Sequence, residues 1–240
     1  MTSGLPTQPA ASDSTVCFAD RLDAGEHLAQ KVLQELAAAS LTQTAIVYAL
    51  PRGGLEVAVP VARALRCPLD VLVAKKITRP ENPELAIGAV TADGHSLWLP
   101  RSRSPKEPTY LNEIALHKAR ERAYLQQQQF EASRPQVNPT GAISLMVDDG
   151  IATGMTMAVA VQALRAQNPA QIWICVPVAP PEMMPHLHQW ADQVVVLATP
   201  SPFLSVSRFY REFKQVEMAA AIAYLQTTNQ THLTETEADA

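Results

Sequence analysis

The sequence predicts an α/β protein, a doubly wound and mostly parallel sheet flanked by helices. Short apolar runs at residues 45–50, 69–74, 143–147, 172–178 and 194–197 have the length of strands buried on both faces. Segments with helical apolar spacing separate most of these runs, and strands that alternate with helices form parallel sheets.

At 240 residues, 47% hydrophobic and 18% charged, the chain can bury a proper core. Its net charge of −4 gives no global attraction to nucleic acid or to an anionic membrane, so neither is expected as a partner. Cys17, Cys67 and Cys175 are widely spaced, form no metal-ligand pattern, and suit a reducing cytoplasm. There is no basic start followed by an apolar core, and no run approaches the roughly 20 apolar residues needed to cross a bilayer.

Residues 1–16 are rich in Ser, Thr, Pro and Ala and read as a disordered tail, followed by a single domain over 17–226. Residues 18–39 read as a helix, with Leu28, Val32 and Leu36 recurring every four residues. The run 45–50 leads into Pro51-Arg52-Gly53-Gly54 and a helix with Ala58, Val61, Ala62 and Leu65 on its apolar face. Glycines let backbone amides approach an anion and permit positive φ, and Arg52 offers a planar cationic fork, although a plain turn also explains these four residues.

The run 69–74 ends at Lys75-Lys76, either a solvated edge or a pair of anion contacts at the carboxyl end of the sheet. The proline-punctuated segment 78–84 reads as a loop, and Asp93-Gly94 between the runs 87–90 and 96–99 predicts a hairpin. Residues 100–139 read as a helical insertion: a basic stretch over 101–106, then a long polar helix over 110–130. Its thin stripe of Leu111, Ile114, Ala115 and Leu125 places that helix on the surface or between copies of the chain. His186 and His188 lack a third ligand, which argues against zinc. Residues 200–213 gather Phe203, Phe209, Tyr210 and Phe213, residues 215–226 read as a terminal helix, and 227–240 as a disordered tail.

The most informative stretch runs from Ile143 to Thr156. Its apolar strand ends abruptly at Asp148-Asp149, passes through Gly150 and small or hydroxyl-bearing residues, and becomes a helix marked by Met157, Ala160, Val161 and Leu164. A strand, tight loop and helix in that order aim unpaired N–H groups and the positive helix end at one small volume, which suits a phosphate. The acids can accept hydrogen bonds from sugar hydroxyls and can hold Mg²⁺ through water. Such a turn also occurs in α/β proteins that bind nothing there; the phosphorylated sugar with Mg²⁺ is the ligand its full residue set implies.

That residue set, two acids after an apolar strand and then Thr153-Gly154-Met155-Thr156, resembles the ribose-phosphate signature of type I phosphoribosyltransferases. Gly150 departs from the aliphatic residue commoner at its position. The resemblance covers roughly residues 45–197. It implies that Asp148 and Asp149 hold the ribose hydroxyls of phosphoribosyl diphosphate (PRPP), and Mg²⁺ through water. It places the 5′-phosphate in the loop of Ala152, Thr153, Gly154, Met155 and Thr156. Pro51, Arg52, Gly53 and Gly54 then match the family's diphosphate loop, which commonly contains a cis peptide, expected here between Pro51 and Arg52. Lys75 and Lys76 become diphosphate contacts, Arg79, Glu81 and Asn82 lie on a lid, and residues 200–213 form a small hood in which Phe203 stacks on a base.

The implied reaction transfers ribose 5-phosphate from PRPP to a nitrogen acceptor with release of diphosphate. Asp148, Asp149 and Arg52 are the residues expected to carry it. The 6-oxopurine branch usually carries an acid where Ala152 stands and a lysine within the stretch Pro177-Val178-Ala179-Pro180; both are missing, so the acceptor is not named. The alternative from another class is a PRPP-binding regulator that performs no transfer. A haloacid-type phosphatase needs acids one residue apart, whereas Asp148 and Asp149 are adjacent.

Overall fold

The computed structural model describes residues 17–79, 81–99 and 109–238; the expected N-terminal tail and the basic stretch 101–106 lie outside them. Helix α1 (Arg21–Ala38) opens on a reciprocal cap. The carboxylate of Asp20 accepts from the Asp23 amide at 2.9 Å, and that of Asp23 accepts from the Ala19 amide at 2.8 Å.

Strand β1 (Ala45–Ala49), helix α2 (Gly53–Leu65) and strand β2 (Leu69–Val71) follow. Next comes an antiparallel unit, β3 (Ala74–Arg79), β4 (Asn82–Thr91) and β5 (Ser96–Trp98), then helix α3 (Thr109–Phe130). The chain returns with β6 (Ile143–Val147), α4 (Met155–Arg165), β7 (Gln171–Val178), α5 (Met184–Trp190), β8 (Gln193–Ala198) and α6 (Met218–Ala238). The main sheet has the order β2-β1-β6-β7-β8, every pairing parallel.

Both faces are covered, as the continuous apolar strands require. One core packs α1, α2 and α6 through Leu28, Val32, Leu55, Ala221 and Leu225. The other packs α4 and α5 through Met157, Val161, Leu164 and Leu187. The strand order reverses between β1 and β6, and in such sheets the crevice outside the carboxyl ends at that reversal is where ligands bind. Register puts Ala49 beside Val147, so the segments that follow, beginning at Leu50 and Asp148, leave the sheet side by side.

The structure departs from the sequence reading in four places. The run 69–74 is not one strand: β2 stops at Val71, and Lys75 and Lys76 belong to the antiparallel β3. The expected loop over 78–84 is instead the end of a hairpin, with Arg79 paired to Asn82 across it. In α3 the buried stripe is Ala115, Ala119, Ala123 and Phe130, while Ile114 and Leu125 are exposed. Small residues there let the helix lie close to Ile77, Ile87 and Val90 of the antiparallel unit. Finally, α6 continues to Ala238, through most of the expected tail, and Asn229 anchors it by accepting from the Leu69 amide at 3.0 Å and donating to the Leu69 carbonyl at 2.8 Å.

The insertion is fastened to β2 by one ion pair. Arg134 donates through Nε and Nη2 to the two oxygens of Asp70, each at 2.7 Å, and Asp70 is only 2% exposed. Replacing Arg134 by Met leaves a buried carboxylate unpaired, which is expected to cost about 3 kcal/mol or more. At about 2–4 °C per kcal/mol for a chain of this size, thermal unfolding of R134M should shift down by roughly 6–12 °C. An unchanged midpoint would remove the pair from any structural role.

Candidate functional site

The two loops that leave β1 and β6 are in direct contact. Pro51 and Arg52 are joined by the cis peptide expected from the sequence. Gly53 and Gly54, however, do not adopt positive φ: they form the first turn of α2. Their reason for being glycine is proximity. A Cβ on Gly53 would lie 2.1 Å from Asp149 Oδ2, and one on Gly54 would lie 2.9 Å from the Val147 carbonyl oxygen and 3.1 Å from Asp148 Cα. No side chain fits between the start of α2 and the acids.

The acids share a desolvated corner. Asp148 Oδ1 accepts from the Asp149 amide at 2.9 Å. Burial first, and then the neighbouring Asp149 charge, raise the Asp148 carboxyl well above the ordinary carboxylate range. Burial also raises Asp149, but the Arg21 guanidinium opposes it, donating from Nε to Asp149 Oδ2 at 2.8 Å. Arg21 lies 3.5 Å from Glu56 as well, so one cation answers three acids in this corner.

Beyond the acids, Ile151 is buried and its amide donates to the Val178 carbonyl at 2.9 Å, anchoring the loop, while Ala152 and Thr153 face solvent. Gly154 takes φ +69 and precedes α4 with no side-chain cap. This positive φ is a conformation that glycine adopts without steric cost. The amides of the first turn, beginning at Met155 and Thr156, therefore lack helical partners and face outward, a cradle for phosphate.

Of the two lysines, Lys75 is half-buried, and its ammonium is held below the usual lysine range by burial and then by the charges of Arg52 and Arg122. Lys76 is exposed, and alternation along β3 turns it to the opposite face. Cations brought this close together favour an anion. Phe203 is half-buried and tilted against Phe209, with ring centroids 5.0 Å apart, inside a small cluster that also holds Phe18 and Tyr210.

The family model of the phosphoribosyl transferase domain matches residues 19–197. The chain belongs to the phosphoribosyl transferase family. Among curated proteins it is similar to one from Mycobacterium tuberculosis, present in strains CDC 1551 / Oshkosh and H37Rv and provisionally named a phosphoribosyl transferase. The identity is 37% over 212 residues, covering 87% of this chain and 46% of the relative. The chain thus spans just under half the length of the curated relatives it matches. Among solved structures it is similar to TT1426 of Thermus thermophilus, at 33% identity and a TM-score of 0.72, covering 88% of this chain and 98% of the other.

Three site residues escaped the sequence reading. Arg21 lies in the first turn of α1, where a cation opposes the helix dipole, and that misplaced charge is the one signal that could have drawn attention to it. Tyr210 donates its hydroxyl to the Asp149 carbonyl at 2.6 Å, tying the hood segment to the phosphoribosyl transferase loop. Arg122 acts on Lys75 from the insertion.

The raised Asp148 carboxyl has a pH consequence for the ligand-free protein. Between the ordinary carboxylate pKa of about 4 and its raised folded value, the folded state holds a proton that the unfolded chain has lost. Stability therefore falls as pH rises through that window, and the full penalty is present above it. Asp148→Asn is expected to raise the unfolding midpoint at pH 8 and to lose that advantage as the pH approaches about 4. Asp149→Asn should gain less than Asp148→Asn, because the Arg21 guanidinium already offsets part of the burial cost of the Asp149 charge. Thermal unfolding across pH compares the two, and a destabilised D148N at pH 8 would contradict the electrostatic reading.

Proposed function

We propose that this chain transfers the ribose 5-phosphate unit of PRPP to a nitrogen atom of a heterocyclic acceptor, releasing diphosphate. The observation that carries the reading is the contact between the two loops. The start of α2 with Arg52 and the Asp148-Asp149 turn abut at the strand-order reversal, Gly53 against Asp149. A cationic half and an acidic half thus form one site, matched to a ligand that is diphosphate at one end and sugar hydroxyls in the middle.

In this reading Asp148 and Asp149 accept hydrogen bonds from the ribose hydroxyls, and residues Ala152 to Thr156 hold the 5′-phosphate. Arg52 and Lys75 hold the diphosphate. The bond from the anomeric carbon to the diphosphate oxygen breaks, its electron pair leaves with the diphosphate, and the acceptor nitrogen bonds that carbon from the opposite face. Fixed charges complementary to the separating sugar cation and leaving anion supply the catalysis.

Mg²⁺ fits this corner on its donor set. Two adjacent acids, with the one neighbouring arginine shared between Asp149 and Glu56, leave room for a cation. No cluster of three or more His, Cys, Asp or Glu exists among the described residues to hold one unaided. Asp148 and Asp149 would hold the ion through water, shared with PRPP oxygens, and it would neutralise charge on the leaving diphosphate. The hood over 200–213 covers the acceptor, with Phe203 as its stacking ring. The exposed Ala152 supplies no acid to a purine ring, which disfavours 6-oxopurines. No helix among the described residues is long and apolar enough to cross a membrane.

Incubation with PRPP, Mg²⁺ and a panel of bases and amines, with diphosphate measured, tests the reaction. Acceptor-dependent release is expected. Binding of PRPP without turnover across the panel would instead mark a PRPP-binding regulator, and absence of binding would sink both. The double variant D148N/D149N is expected to bind Mg²⁺–PRPP at least tenfold more weakly by calorimetry, an order-of-magnitude loss for removing charge-assisted bonds. K75M should lose affinity for diphosphate and K76M should keep it.

A further inference from the structure

The buried Arg21 is held by side chains and backbone from several segments around the site. Its side chain is only 7% exposed, and Nε, Nη1 and the face of the guanidinium are all engaged within the protein. Nε donates to Asp149 Oδ2 at 2.8 Å. Nη1 donates to the Lys214 carbonyl at 2.7 Å and lies 3.5 Å from Glu56 Oε2 on α2. The guanidinium lies over the Phe213 ring, 3.7 Å from its centroid.

Resting on the PRPP reading, we propose that Arg21 is a positioning residue that fixes the Asp149 carboxylate in place for the ribose and fastens the segment after the hood to it. Four segments meet on this one side chain: α1, which supplies it, α2 through Glu56, the turn after β6 through Asp149, and residues 213–214. A planar fork with several donors and a stacking face can satisfy all of these partners at once, whereas a lysine offers a single point charge on a flexible stem. Because Nε and Nη1 are already bonded within the protein and the side chain is 7% exposed, Arg21 is assigned no contact with the substrate. It acts through Asp149.

The packing of α1 on α2 sets the reach. A Cβ on Gly25, one turn after Arg21, would lie 2.6 Å from the Val57 carbonyl oxygen, so the two helices cross at backbone contact. Their closeness brings Arg21 within range of both Glu56 and Asp149. The Tyr210 hydroxyl, on the Asp149 carbonyl at 2.6 Å, holds the same residue by its backbone. Asp149 is thus fixed at side chain and main chain by groups from opposite ends of the sequence.

The two halves of the site give a test that a general loss of folding does not imitate. Calorimetry is run on the full chain with Mg²⁺–PRPP and, separately, with inorganic diphosphate, which needs only the Arg52 and Lys75 half. Wild type must first bind Mg²⁺–PRPP; if it binds none, the PRPP reading fails before Arg21 is questioned. R21M is expected to weaken Mg²⁺–PRPP about tenfold or more while leaving diphosphate affinity unchanged, since displacement of a positioned group removes only the interactions that depend on it. R21K should recover only part of the loss. F213L, which keeps the charge and removes the stacking face, should weaken Mg²⁺–PRPP by about threefold with diphosphate again unchanged, the scale of an exposed to part-desolvated cation–π contact. Wild-type PRPP affinity in R21M, full recovery in R21K, or an equal loss of both ligands in F213L overturns the proposal. R21K and F213L decide it alone if R21M does not fold.

Discussion

Two carboxyl groups stand at the buried end of β6, and the arrangement around them follows from that constraint. Asp148 and Asp149 are adjacent, desolvated and supplied with little neutralising charge, so burial pushes both carboxyls upward. A protein selected for stability alone would not keep them. What the neighbours do is limit the cost without cancelling it. Arg21 answers Asp149, the Asp149 amide answers one oxygen of Asp148, and the remaining imbalance is available to a ligand that brings hydroxyl donors or a cation.

The sheet makes this concentration of polar groups possible without weakening the core. Strand β6 is buried along its whole length up to Val147, and the two acids stand immediately after its last residue. Because Ala49 and Val147 are paired, the cation-bearing turn and the acid-bearing turn leave from the same level of neighbouring strands. Glycine at 53 and 54 removes the volume that would separate them. The antiparallel unit, an addition outside the main sheet, then carries Lys75 into the field of Arg52. Register and excluded volume alone bring the two turns into one corner.

How much of this was legible in the sequence depended on the distance over which each interaction acts. The strands of the main sheet were readable because burial on both faces leaves an unbroken apolar run, and the Asp148–Thr156 turn was readable because its chemistry is contiguous. The end of β2 was not, since Leu72 and Val73 continue the apolar run after residue pairing with β1 has ended at Val71. The buried stripe of α3 was missed because alanines pack it, and bulkier residues on the other face drew the eye. The extent of α6 is fixed by Asn229 gripping Leu69, a contact across 160 residues that local composition cannot show. Arg21 and Asp149 are 128 residues apart, and only the fold makes them neighbours.

Gly150 shows the same lesson in reverse. Beside the family pattern it looks like a lost aliphatic side chain, yet a Cβ there would strike Val206 at 2.7 Å and Val178 at 2.8 Å. The space above the turn is already filled, and the hood fills it. The aliphatic volume over the turn is supplied by Val206 and Val178. With Val206 packed on Gly150 and Tyr210 bonded to Asp149, the hood rests on the same two residues that follow and include the acids. A change in the hood is therefore felt at the acids through two direct contacts.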